Sequence, residues 1–380
     1  MTTDNSLKKE TYDLICFSHL RWDFVFQRPQ HLLTRFAKEH RVFVIEEPIF
    51  GEDGPALEVS HRENGLHIVL PKLPHGADVD AVMTGLVNDL VEQHGIREPV
   101  AWFYTPMMLR WADGLEPKAI VYDCMDELSM FKGAPPELIE REKELFERAD
   151  LVFTGGQSLY EAKRDKHQAV YAFPSSIDVA HFAQTLTLTD EPADQKDIPH
   201  PRVGFCGVID ERTDIELLGE IADLRPEYHY VMIGPVVKID ENELPRRENI
   251  HYLGGKNYND LPAYIGGWDV AMMPFAMNDS TRFISPTKTP EYLAAGCPVV
   301  STPIRDVVRP YGEKGLVHIA TNAEEFVNAI DRALSEETDT RRARAAEHLA
   351  TMSWDKTQSA MAELINKVVT RSADSSAAHA

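Results

Sequence analysis

Across 380 residues the chain sets 61 Asp and Glu against 39 Lys and Arg, a formal charge of −22, and is 43% hydrophobic. That length exceeds one ordinary core and suits two domains with a ligand-sized cleft between them. The acidity repels nucleic acid and anionic lipid except at a local basic patch, and no apolar run approaches the roughly 18 residues of a membrane span.

The opening run MTTDNSLKKETYDLICF lacks a signal-peptide pattern, so a cytoplasmic location is expected. From there short β-branched or aromatic runs alternate with amphipathic segments, the sign of a parallel sheet flanked by helices. Strands are predicted at 12–17, 42–46, 67–71, 100–104, 119–123, 151–154 and 170–173, and helices at 29–40, 78–94 and 136–149. The stretch 184–201 loses this pattern and fills with Asp, Thr and Pro, which places the domain boundary there. A second alternating unit follows, with strands at 202–206, 229–233, 250–253, 269–274, 298–302 and 316–319 and helices at 214–224, 260–265, 286–295 and 323–334. The chain reads as α/β: two doubly wound domains, 1–183 and 184–355, facing a cleft, then a helix over 356–371 and a disordered tail over 372–380. The basic clusters Lys163-Arg164-Asp165-Lys166 and Arg341-Arg342-Ala343-Arg344 are read as solvated helix faces, with no nucleic-acid partner. Cys16, Cys124, Cys206 and Cys297 have no CxxC spacing and read as buried small residues.

In doubly wound sheets ligands bind beyond the carboxyl ends of the strands, so polar residues just after strands are the candidates. After the first strand comes SHLRWDFVFQRPQHL, where His19, Gln27 and Arg28 could meet a phosphate or an anionic acceptor beside a helix start. The bland reading makes Trp22, Phe24 and Phe26 lid or core residues, with His31 facing the sheet. After 119–123, Asp126 is preferred over Asp123 as a general base, because burial and mutual repulsion raise a carboxyl pKa; Asp123 lies nearer the strand and could be structural. In FCGVIDERTD, Gly207 admits close backbone approach and Arg212 could clamp phosphate oxygens, or simply pair with Asp210 or Asp214. The segment NDSTRFISPTKTPEYLAAG places Ser285 as a helix cap before Pro286, with Thr287, then Lys288 in the first turn and Glu291 one turn on. That pattern suits a diphosphate, and equally suits a capped helix with exposed charges.

SPTKTPEYLAAGCPVVST resembles the donor-site segment of GT-B fold glycosyltransferases, family 4 or group 1-like, which have two Rossmann-like domains. The aromatic loop RWDFVFQRPQHL is similar to the teichuronic-acid type of bacterial polysaccharide glycosyltransferase. The resemblance implies a nucleotide-diphosphate-sugar donor, a UDP-sugar as first expectation, held by Gly207, Arg212, Ser285, Thr287, Lys288 and Glu291, the last on the donor ribose. It also implies transfer to a hydroxyl of a glycan or lipid-linked acceptor in cell-surface glycan synthesis, with no metal and no cofactor; a lipid-linked acceptor would bring peripheral contact with the inner face of the plasma membrane, for which the acidic balance gives no support. Many family 4 relatives carry a second glutamate where this chain has Phe283. A sugar-nucleotide epimerase on the same fold and a non-catalytic scaffold are the alternatives. The absence of GxGxxG after the first strand and of GxxxxGK[ST] sets aside nicotinamide and kinase-type chemistry.

Overall fold

The computed structural model describes residues 11–377 except 53. Among them the first domain has strands β1 (Leu14–Phe17), β2 (Val42–Ile45), β3 (Ile49–Gly51), β4 (Ala56–His61), β5 (Leu66–Pro74), β6 (Val100–Phe103), β7 (Ala119–Cys124), β8 (Leu151–Thr154) and β9 (Val170–Ala172). They form one sheet in the order β3-β5-β2-β1-β6-β7-β8-β9, with β4 antiparallel on β5 and the other pairs parallel. Helices α1 (Arg28–Phe36), α2 (Val79–Gln93), α3 (Glu137–Arg148), α4 (Gln157–Lys163) and α5 (Val179–Ala183) connect and cover it.

The second domain contributes β10 (Arg202–Cys206), β11 (His229–Ile233), β12 (Ile250–Gly254), β13 (Val270–Met273), β14 (Val299–Ser301) and β15 (His318–Ile319), parallel and ordered β12-β11-β10-β13-β14-β15. Its helices are α6 (Ile215–Leu224), α7 (Leu261–Gly266), α8 (Lys288–Ala294), α9 (Arg305–Val307), α10 (Ala323–Ser335) and α11 (Thr338–Leu349), and α12 (Trp354–Ala377) ends the described chain.

The central strands of each sheet are buried on both faces, which is why they read as continuous apolar runs. Along β1, Leu14 and Cys16 enter one core while Ile15 and Phe17 enter the other, as a period of two requires. The first of these cores also takes Trp354, Met361, Ala362, Ile365 and Val369, so α12 braces the N-terminal domain. The helix begins at Trp354 rather than 356 and runs through Ala377, six residues into the expected tail; the remainder, 378–380, lies outside the described residues. The boundary also falls earlier in packing terms than in pattern. Ile177 and Phe182 bury in the C-terminal core, and Gln195 ties the 184–201 stretch down by accepting from Trp268 Nε1 (2.9 Å) and donating to the Tyr264 carbonyl (2.8 Å).

The two domains touch at specific points. Asp306, from α9, accepts the amides of Gln157 and Ser158 at 2.8 and 2.9 Å and so caps α4 of the other domain. A β-carbon at Gly156 would collide with that carboxylate, so glycine permits the approach. Farther along, the Lys132 amide donates to the Glu211 carboxylate at 3.2 Å, and Phe26 stacks on Tyr258 at 4.4 Å. All four cysteines are buried and unpaired.

Candidate active site

A cavity of about 780 Å³ lies between the domains, walled by residues that follow the carboxyl ends of strands in both sheets. The N-terminal domain supplies Trp22 to Arg28 after β1, Met125 and Asp126 after β7, and Gly155 after β8. The C-terminal domain supplies Cys206, Gly207 and Arg212 after β10, Gly234 and Pro235 after β11, Gly255 to Leu261 after β12, and Ile284 to Lys288 after β13. Of the residues singled out from sequence, Gln27, Arg28, Asp126, Gly207, Arg212, Ser285, Thr287 and Lys288 border this space; His19, Asp123 and Glu291 do not.

Ser285 is not a helix cap. Its carbonyl accepts the hydroxyl of Ser175 from the other domain at 2.5 Å instead of the first intrahelical bond, and α8 starts three residues later at Lys288 after Thr287. Lys288 Nζ lies 2.6 Å from Glu291 Oε2, with both side chains largely buried at 17% and 4% exposure. Burial works against the ammonium, but the Glu291 charge and hydrogen bond hold its pKa above the ordinary lysine value. Lys288 is therefore a cation held at the cavity wall by a carboxylate beneath it.

Arg28 is held mainly by the protein. Its Nε and Nη2 grip Asp123 at 2.8 to 3.2 Å and its Nη1 donates to the Phe173 carbonyl at 2.8 Å, so three of its five N–H groups are engaged where it borders the cavity. The pair is almost wholly buried and locks the start of α1 to the end of β7. Asp123 thus fastens Arg28 and does not border the cavity, whereas Asp126 does. Burial raises the Asp126 pKa, Arg212 and Arg28 pull it down, Asp210 pushes it up, and the net direction is upward.

Arg212 combines the two readings of its sequence. It chelates Asp210 at 2.7 to 3.1 Å and stacks 5.6 Å over Phe131, yet it borders the cavity opposite Asp126. Gln27 borders the cavity with its amide donating to Gln30 Oε1 at 3.0 Å. His19 is tucked away; its Nδ1 has no partner among the described residues, and burial with nearby Lys238 pushes its pKa down to about 4. His31 does not face a sheet: it stacks on Trp354 at 4.6 Å and meets Phe26 and Tyr258 edge-on. Phe283 packs against the N-terminal core and does not border the cavity.

Gly234, Pro235 and the 255–260 loop were missed in sequence, although glycine directly after a strand was the available signal. Gly234 adopts φ +150°, and a β-carbon there would overlap the Gly207 carbonyl oxygen, so the two loops under the cavity touch backbone to backbone. Gly234→Ala is expected to cost about 3 kcal/mol or more in urea unfolding. Gly207→Ala, whose β-carbon would meet the edge of the Phe205 ring, with Cζ nearest at 3.0 Å, is expected to be milder, and equal losses would refute this account.

Residues 200–336 match the family model described as glycosyl transferases group 1. The putative teichuronic acid biosynthesis glycosyltransferase TuaH of Bacillus subtilis (strain 168) is 23% identical over 203 residues, 48% of this chain and 50% of that protein; the match thus spans about half of this curated relative. Among solved structures, a trehalose-6-phosphate structure from E. coli bound with UDP-2-fluoro glucose superposes with TM-score 0.69 at 14% identity, over 93% of this chain and 99% of that one. Sucrose-phosphate synthase from Thermosynechococcus elongatus gives 0.71 at 13% identity, over 95% and 100%. Anabaena HepE in complex with UDP and glucose gives 0.66 at 14%, over 93% and 98%. At such identities these likenesses establish the fold. The chain carries a group 1 glycosyl transferase domain over residues 200–336, set in the two-domain GT-B architecture.

Proposed function

We propose that the chain transfers a sugar from a nucleoside-diphosphate donor to a hydroxyl of a glycan or lipid-linked acceptor in cell-surface glycan synthesis. The observation that carries this is Lys288, a cation seated on buried Glu291 and presented to an interdomain cavity within the matched domain. The acceptor oxygen bonds to the anomeric carbon as the bond from that carbon to the diphosphate oxygen breaks, and the electron pair leaves with the diphosphate. Lys288 and Arg212 stabilise the charge that gathers there, side-chain cations doing this without a metal ion. Asp126 takes the hydroxyl proton, and its raised pKa makes it a better base near neutrality than an ordinary carboxylate. UDP is the first donor nucleotide to test, since structures of the same fold hold UDP compounds, and ADP, held by another, belongs in the same series.

Thermal unfolding with UDP, GDP, dTDP and ADP in turn tests the assignment. One nucleotide at about 100 times its Kd is expected to stabilise by roughly 2.7 kcal/mol. No shift with any of the four counts against the reading, and conversion of the sugar nucleotide without acceptor indicates an epimerase.

The proposed base has a stability signature. Because the folded-state pKa of Asp126 lies above its unfolded value, its contribution is complete below the unfolded pKa near 3.9 and is lost as pH rises through the folded one. Asp126→Asn is therefore expected to raise Tm at about pH 7, with the difference shrinking toward pH 4 while transfer falls. A Tm difference independent of pH would sink the assignment.

A further inference from the structure

The N-terminal wall of the cavity exposes large aromatic rings: Phe24 is 54% and Phe26 38% exposed, and both border the space with Trp22. Their loop is held at both ends. The Trp22 amide donates to Glu46 Oε1 at 2.6 Å, its carbonyl accepts from Gln30 Nε2 at 2.7 Å, and Arg21 reaches Glu46 at 3.1 Å. Beyond Phe24, Phe26 is fixed by its stack on Tyr258 of the other domain, and the Gln27 amide is tied to Gln30. Phe24 is the ring between these anchors that packing leaves open. A rigid aromatic with two side-chain torsions binds at little entropic cost, and exposed apolar surface inside a ligand cavity marks a contact.

We propose that Phe24, flanked by Trp22, is the platform for a neutral pyranose ring of the acceptor and sets acceptor specificity; this rests on the glycosyl-transfer reading above. One face of a pyranose is a sheet of C–H groups and its rim carries hydroxyls. The flat ring of Phe24 matches the face, and Gln27 and Asp126 on the same cavity border suit the rim. A hydrocarbon chain would instead desolvate those polar groups without pairing them. Asp23 pairs with Arg62, and the border's cations Arg28, Arg212, Lys256 and Lys288 each pair with a carboxylate, so the Asp126 carboxylate is what disfavours an anionic ring here.

The test is saturation-transfer NMR on the full chain with the methyl glycosides of glucose, galactose, mannose and N-acetylglucosamine, with the stabilising nucleotide present. Saturation is expected at ring C–H protons of at least one glycoside. Phe24→Ala should weaken that binding roughly tenfold, Phe24→Tyr should retain it, and Phe24→Leu, apolar but not flat, should lose most of it. The nucleotide-induced thermal shift should be the same in all four proteins. Saturation of no glycoside, or equal saturation in Phe24→Ala, overturns the proposal. So does an unchanged glycoside response with Phe24→Ala lost from co-sedimentation with phosphatidylglycerol vesicles, which would assign the ring to lipid. A wild-type chain that responds to no nucleotide would fail the transfer reading instead, and that result is read in the thermal scan, separately from the glycosides.

Discussion

Lys288→Met is expected to lose about 3 to 5 kcal/mol of stability at neutral pH, because it strands the buried Glu291 carboxylate. It should also lower the transfer rate by roughly 100- to 1,000-fold, the scale of removing one preorganised donor to developing charge. The double variant Lys288→Met/Glu291→Gln removes the stranded charge and should regain most of the stability while staying inactive. Urea unfolding and initial rates on the three proteins separate the roles. If the double variant is no more stable than the single one, Lys288 and Glu291 are not the coupled pair described. If Lys288→Met keeps full nucleotide stabilisation, Lys288 does not meet the diphosphate.

Asp123→Ala should be as costly, about 3 to 5 kcal/mol, since it leaves the Arg28 guanidinium buried with the Phe173 carbonyl as its one remaining hydrogen-bond acceptor among the described residues. Replacing both, as Arg28→Met/Asp123→Leu, should recover much of that loss. The functional consequence separates this pair from Lys288. Three of the five N–H groups of Arg28 are taken by Asp123 and the Phe173 carbonyl, so the double variant, if this role is purely structural, should keep nucleotide-induced stabilisation, measured by thermal scan. Loss of that stabilisation in a folded double variant would return Arg28 to the ligand-binding set.

What could be read from sequence follows the range of the forces involved. β1, β2, β6 to β8, β10, β11, β13 and β14 were legible because both faces are buried and their residues show it locally. β3 and β4 were not, since Ile49–Gly51 and Ala56–His61 are short, half-exposed edge pieces that owe their form to pairing with β5. α4 escaped for a similar reason: it is one of the shorter helices and its cap, Asp306, comes from the other domain. Of the basic clusters read as solvated, Arg164 and Lys166 are exposed. Lys163, however, is buried between Glu127 and Glu142, at 2.7 and 2.8 Å, a pairing invisible in a charge run.

The cavity residues divide the same way. Lys288 and Glu291 lie three apart on one helix, so their proximity follows from helical geometry. Arg28 and Asp123 come together only when α1 docks on β7, and no local pattern announces that pairing. Ser285 shows the converse. Serine before proline is a sound cap signal, yet α8 begins only at Lys288, and the Ser285 carbonyl instead accepts from Ser175 of the other domain.

The Asp306 carboxylate makes the first turn of α4 a built-in clock for domain separation. Whenever the domains part, the amides of Gln157 and Ser158 lose their only acceptor among the described residues and face water. Hydrogen exchange at those two positions would then count opening events directly, without a label or a bound ligand, and a nucleotide that holds the cleft shut would slow them together.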